Sequence, residues 1–208
     1  MQLVVVVLPP PAVVQEALDL TRGLLDVDVP EVEQPRGLGR LLRRSPSPPP
    51  PSPVLDPLPI GSVFVRVARL GNVMDADAAM LARVVREAAG QWPAPVLHVA
   101  GIRVTGDPRP ELVADLGGQT DGLASIFRSL ESTVRRHGFF LDRRAFRAEI
   151  ALGTLDVPEG AELPVSVVEG AAPATGSGWQ ATDLTFVRRA HRAGRAAFEP
   201  VESFPLGG

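Results

Sequence analysis

Apolar residues recur along the chain with two different periods, and these predict its strands and helices. Leu3 to Leu8 is an unbroken run of leucine and valine that ends at three prolines, which is typical of a strand buried on both faces. Apolar residues at helical spacing follow this strand and recur twice farther along. The predicted helices cover Ala12–Leu25, Asp75–Ala89 and Asp121–His137, the last closed by Gly138.

Elsewhere the apolar residues alternate with a period of two, which predicts half-buried strands. Val63, Val65 and Val67 share one face of the first such strand, and Phe64 and Arg66 lie on the other face. The same alternation predicts strands at Val96–Val104, Glu111–Leu116 and Arg147–Leu155, and a closing hairpin of Trp179–Arg189 and Phe198–Phe204. Strands interleaved with helices and completed by a hairpin predict an α+β fold with two similar lobes that share a cleft.

Residues 36–59 interrupt the pattern. They contain a basic stretch that leads into a run of proline and serine at residues 45–53. Such a composition is typical of an extended or unstructured surface segment. We expect residues 1–208 to form one two-lobed domain with this insertion at about 36–59. A second interpretation, in which residues 45–53 contact a protein partner, stays open.

The amino-acid composition excludes several kinds of covalent, metal-binding and catalytic site. The 208 residues include no cysteine, and all 21 basic residues are arginine. Disulfides, thiolate zinc sites, cysteine nucleophiles and Schiff-base lysines are therefore excluded. The three histidines, at 98, 137 and 191, match no metal-binding spacing. We accordingly expect neither a metal nor a cofactor.

The chain also lacks the features of a membrane or exported protein. Its formal net charge is −3, and no apolar run approaches the ~18 to 20 residues that cross a bilayer. The apolar start has no basic flank and no cleavage site, so it predicts a buried strand and not a secretion signal. We expect a cytoplasmic protein that does not contact membranes.

Short segments spread along the chain resemble a known family. They are Leu3–Pro9, Leu70-Gly71, Arg135–Phe139, Phe146-Arg147 and Glu202–Leu206. Taken in this order, they resemble the bacterial 2′-5′ RNA ligase or RNA 2′,3′-cyclic phosphodiesterase proteins of the two-histidine phosphoesterase superfamily. The resemblance covers nearly the whole chain. It implies a two-lobed fold with two antiparallel sheets around a central cleft and helices on the outside.

That family uses two His-x-Thr or His-x-Ser motifs, one on an inner strand of each lobe. One imidazole removes a proton and the other delivers one, while the hydroxyls hold phosphate oxygens. Counting from the neighbouring segments, the first triplet falls on Phe64-Val65-Arg66 and the second on Glu149-Ile150-Ala151. Each acid or base contributes about 10²- to 10⁴-fold, and both histidines are missing. The resemblance therefore implies a scaffold without cyclic phosphodiesterase activity.

Three interpretations of these positions stay open. Arg66, with Arg69 or Arg103, would bind the phosphate of a nucleotide or RNA end, and Phe64 would stack a base. Alternatively, Arg66 and Glu149 form an ion pair that links the lobes. In the third interpretation the protein is still an enzyme on phosphoesters, with Glu149 as the base and Arg66 as an electrostatic clamp.

Overall fold

The computed structural model describes residues 1–25, 52–106, 109–141, 146–159, 161, 163, 172–173, 176–192 and 195–207. Most of the proline-rich segment at 45–53 lies outside these residues, so its predicted role as a partner contact stays a prediction. Within the described residues, no helix is long and apolar enough to cross a membrane.

Three α-helices and ten strands make up the described part of the fold, and the elements that the hydrophobic periodicity predicts follow one another in the predicted order. The helices are α1 (Pro11–Leu25), α2 (Asp75–Ala89) and α3 (Thr120–Arg135), and Ile60–Ser62 forms a 3-10 turn. The strands are β1 (Gln2–Val7), β2 (Val54–Pro57), β3 (Val65–Asn72), β4 (Val96–Thr105), β5 (Glu111–Gly118), β6 (Glu149–Asp156), β7 (Ala172–Pro173), β8 (Trp179–Gln180), β9 (Asp183–Arg192) and β10 (Arg195–Pro205).

Each predicted helix is confirmed within two residues at either end, because its ends carry local signals. At the end of α3, Gly138 adopts a positive φ of 82°, and the N–H of Phe139 reaches back to the carbonyl of Val134 at 3.1 Å. This is the backbone geometry that glycine allows at low cost.

The strands form one curled antiparallel sheet with the order β10-β9-β1-β3-β6-β5-β4-β7. The first four strands belong to one lobe and β6, β5 and β4 belong to the other. A single residue pair, Val65 with Ile150, joins β3 to β6 and makes the two sheets continuous. The predicted α+β fold is confirmed, with its two lobes connected at this junction.

One face of the sheet packs against the helices and forms the main core. Leu81 of α2, Leu123 of α3 and Val5 of β1 are each fully buried in a single apolar cluster. Burial of such side chains contributes about 1.5–3 kcal/mol each, so this face holds the helices in place. The opposite face is left to line the cleft.

The structure corrects the boundary of the predicted insertion. Val54–Pro57, inside the segment assigned to it, pairs with β6 from Asp156 to Gly153. The approach is close at Gly153, where a Cβ atom would lie 2.4 Å from the carbonyl oxygen of Asp56. The sequence missed β2 because its four residues have no alternation of their own; their partner on β6 specifies the strand.

Candidate functional site

The motif positions inferred from the sequence (Phe64, Arg66, Glu149 and Ala151) meet at the junction of the two lobes. Val65 and Ile150 pair across this junction and are 0% and 1% exposed on the core side. Side chains alternate along a strand, so the motif positions on either side of this pair face the cleft. Extending the antiparallel register by one residue sets Arg66 opposite Glu149 and Phe64 opposite Ala151.

A cavity of about 560 Å³ lies at this junction and contains every motif position in its lining. Its charged lining residues are Arg66, Arg69, Arg147, Glu111 and Glu149. Its aromatic lining residues are Phe64, Phe127, Phe146 and Phe198. The cavity therefore combines arginines with aromatic rings, the side chains that suit a phosphate attached to a planar group.

An apolar wall closes the cavity on the side of the first lobe. It consists of Val4, Val6 and Val187, with Phe64 and Phe198 packed against them. The rings of Phe64 and Phe198 meet edge to face, with centroids 4.9 Å apart. Two strands separate β10 from β3, and neighbouring strands lie about 4.8 Å apart. The ring contact therefore requires the sheet to curl strongly around the cleft.

A charged wall, made of Arg103, Asp115 and Glu149, lies on the side of the second lobe. The Nε of Arg103 donates to both carboxylate oxygens of Asp115 at 2.8 Å. Its Nη2 donates to Oε2 of Glu149. The side chains of Arg103 and Glu149 are only 23% and 21% exposed. This geometry makes Arg103 a bridge between two strands and two carboxylates.

The electrostatic surroundings of Arg103 favour its charged form. Burial alone lowers the pKa of the guanidinium, but hydrogen bonds and charge attraction from Asp115 and Glu149 outweigh it. The pKa of Arg103 is therefore raised above its ordinary value. Arg103 is a permanent cation in this wall.

Five of the predicted site residues line the cavity: Phe64, Arg66, Arg69, Glu149 and Ala151. Arg103, predicted as a phosphate ligand, is not among the lining residues and hydrogen-bonds to Glu149, which is one of them. Since the structure gives Arg103 as a partner of Glu149, the predicted ion pair between Arg66 and Glu149 is not needed to hold this carboxylate. That ion pair stays a prediction.

Sequence reasoning missed several residues of the site. Arg147 was read as the start of a strand and as part of a family segment, not as a site residue, yet it lines the cavity. Asp115 was read only as part of a strand, although it is the one carboxylate in the otherwise apolar run of Leu112–Leu116, which was a usable signal. Phe198 was assigned to a strand with no cue that it would reach Phe64.

The histidines do not contribute to the cavity in the described part of the chain. His98 lies against Gly117, where a Cβ atom would come within 2.5 Å of the imidazole Nε2. His137 and His191 are exposed. Among the described residues, no group of three histidine, aspartate or glutamate side chains is arranged to hold a metal ion.

Comparison with known proteins supports the fold over the full length of the chain. No protein-family model and no curated protein matches the sequence. Solved structures match it well. TT0787 of Thermus thermophilus is 17% identical, with a TM-score of 0.65 over 100% of this chain and 99% of that one.

Two further structures extend this likeness. E. coli LigT complexed with 3′-AMP is 17% identical and has a TM-score of 0.66 over 99% of this chain and 97% of LigT. A protein described as a phosphoesterase is 17% identical, with a TM-score of 0.61 over 100% and 98% of the two chains. The resemblance stated from the sequence is thus confirmed for the fold.

Proposed function

We propose that this protein binds the phosphate of a nucleotide or RNA end in the cavity at the motif positions and does not cleave cyclic phosphates. The observation that carries the proposal is the lining of that cavity, which includes three arginines, Arg66, Arg69 and Arg147. Guanidinium groups bind phosphate through paired N–H donors. Arg103 compensates Glu149 in the same lining, which reduces the repulsion that this carboxylate would exert on an anion.

Similar structures support this choice of ligand. E. coli LigT, which shares the fold, has been solved with 3′-AMP, with NADP+, with ATP and with phosphate. Each of these ligands is or contains a phosphate. In this chain, the half-buried ring of Phe64 beside the arginines offers a surface on which a base would stack.

The absence of catalysis follows from the chemistry of the motif positions. Phe64 and Ala151 carry no group that transfers a proton. Glu149 is the one carboxylate at these positions, and Arg103 already donates to it. In-line cleavage also requires an acid for the leaving oxygen, and Arg66 remains protonated at any working pH. Neither half of the acid-base pair is in place.

A calorimetric titration tests the binding. Wild-type protein is titrated with 3′-AMP, 2′,3′-cyclic AMP, inorganic phosphate and adenosine. We expect the two nucleotides to bind and adenosine to bind at least about tenfold more weakly, since the phosphate contacts contribute much of the affinity. Arg69→Ala is expected to weaken 3′-AMP binding by about tenfold.

The matched control is Arg83→Ala, an exposed arginine on α2 outside the cavity lining, which should bind as the wild type does. Equal losses in the two variants would show that only overall charge matters and would contradict the proposed site. Adenosine binding as tightly as 3′-AMP would contradict phosphate recognition.

A second candidate, an active phosphodiesterase, is favoured by the position of Glu149 in the lining. Incubation of the protein with 2′,3′-cyclic AMP and chromatography of the products separates the two functions. We expect no hydrolysis above the rate without protein. Turnover that is lost in Glu149→Gln would establish an enzyme with Glu149 as its base. We place the protein in the cytoplasm, where nucleotides and RNA ends are abundant.

A further inference from the structure

The register of the second lobe brings two carboxylates directly together. Asp115 of β5 pairs with Glu149 of β6 in the antiparallel ladder. Directly opposed side chains lie about 4.5–5.5 Å apart at their Cβ atoms, and like charges at such positions repel each other. The cavity arginines stand next to this pair, because Arg66 is opposite Glu149 in the extended register of β3 and β6.

Arg103 is the group that compensates both carboxylates. It reaches from β4, the strand beyond β5, and hydrogen-bonds to Asp115 and Glu149 together. A guanidinium suits this task because its donors form a fixed planar fork. Glu149 lines the cavity whereas Arg103 does not, so Arg103 influences a bound ligand through Glu149.

We propose that Arg103 is a positioning residue that makes the cavity accept anions, by holding Glu149 and Asp115 and reducing their repulsion of a bound phosphate. This inference rests on the proposed phosphate binding and goes beyond it. It assigns part of the selectivity for anions to a side chain outside the lining that contacts a lining carboxylate, in addition to the arginines that line the cavity. The charged wall is thus a functional counterpart of the arginines and not only a structural link between strands.

The effect on binding follows from the charges that remain when Arg103 is lost. Without the positive charge of Arg103, Asp115 and Glu149 then stand beside the site where a phosphate would bind. At the short distances across one or two strands, each contributes repulsion that the partly exposed surroundings only partly screen. We expect Arg103→Gln, which keeps a hydrogen-bond donor but removes the charge, to weaken 3′-AMP binding about 10- to 100-fold.

Neutralising Asp115 and Glu149 together with Arg103 distinguishes charge compensation by Arg103 from direct contact between Arg103 and the phosphate. In the triple variant Arg103→Gln, Asp115→Asn, Glu149→Gln the repulsion is gone, and we expect 3′-AMP affinity within about threefold of wild type. Arg103→Lys keeps the charge and should also stay within about threefold. Adenosine, which has no charge, should bind all of these variants equally. The loss in Arg103→Gln should shrink as salt rises from about 50 to about 500 mM.

The outcomes separate the inference from the proposed function. Wild-type protein that binds no phosphate compound would overturn the proposed function, and the inference with it. Wild-type protein that binds 3′-AMP while Arg103→Gln binds it equally well would overturn the inference alone. A folded triple variant that still binds weakly would show that Arg103 contacts the phosphate itself, which also overturns it. If Arg103→Gln does not fold, Arg103→Lys and the triple variant still decide between these roles.

Discussion

On the first-lobe side of the cavity, Phe64 stands where the resemblance places a histidine, and its ring packs against Phe198 and three valines. On the second-lobe side, Glu149 occupies the corresponding position and is held by Arg103. The apolar wall is stable because burial removes it from water. The charged wall is stable only because each charge has a partner. The two positions thus differ in physical character, since one is filled by a buried aromatic ring and the other by a charged side chain held by a guanidinium.

The largest effect, a gain of hydrolytic activity, is expected when a His-x-Thr triplet is introduced at the motif positions of both lobes together. The variant Phe64→His, Arg66→Thr, Glu149→His, Ala151→Thr restores a His-x-Thr triplet on each wall. Each restored imidazole is worth about 10²- to 10⁴-fold, so we expect measurable hydrolysis of 2′,3′-cyclic AMP by chromatography. Either triplet alone should leave the protein inactive. A folded quadruple variant that binds 3′-AMP without turnover would show that the junction does not have the catalytic geometry that the resemblance implies.

A substitution in the apolar wall is expected to have the next largest effect, which is a loss in the free energy of unfolding. Phe198→Ala removes the ring that packs on Phe64. A fully buried phenylalanine costs about 3–5 kcal/mol when it is truncated, and Phe198 is half-buried, so we expect a loss of about 2 kcal/mol in the free energy of unfolding by urea. The control Phe140→Ala removes a ring that is 72% exposed and should cost less than about 0.5 kcal/mol. Equal costs would contradict the role of this wall.

A substitution in the charged wall should reduce the free energy of unfolding by a smaller amount, because the side chains of this wall are partly solvated. Asp115→Asn removes one charged partner of Arg103, and Asp115 is 37% exposed. Screening reduces the value of such a pair, and the repulsion from Glu149 is relieved at the same time. We expect a loss of about 1 kcal/mol in urea denaturation, smaller at about 500 mM salt. A loss that does not depend on salt would contradict an electrostatic origin.

The raised pKa of Arg103 determines how the stability loss in Asp115→Asn responds to pH. A group with a raised pKa contributes stability that is fully present below its unfolded pKa and is lost as the pH rises through its folded pKa. Arg103 has a raised pKa, and an unfolded arginine also stays protonated up to strongly alkaline pH. The titration of Arg103 therefore introduces no change in the Asp115→Asn loss between about pH 7 and 9.

The smallest effect on the free energy of unfolding is expected when an exposed ion pair on the surface of α1 is removed. Arg22 and Asp19 pair at 2.7 Å on α1, with side chains 54% and 60% exposed. Asp19→Ala should change the free energy of unfolding by less than about 0.5 kcal/mol, since exposed pairs contribute little. A loss as large as that of Asp115→Asn would show that partial burial adds nothing to the charged wall.

Much of the fold followed from local patterns. The helices were predictable because apolar spacing and end signals such as Gly138 act within a few residues. The motif positions were predictable because alternation alone put Phe64 and Arg66 opposite the valines of the core. Other features were not predictable, because a strand such as β2 or a ring contact such as that of Phe198 depends on residues far away in the chain.

The sequence by itself determined which elements form, which face of each inner strand avoids the core, and that no histidine stands at either motif position. Only the tertiary structure decided that Glu149 is a partner of Arg103 and lies opposite Asp115, and that Arg147 joins the cavity. The reason is that periodicity is a property of one segment, whereas register and sheet curvature are set by several segments packing at once.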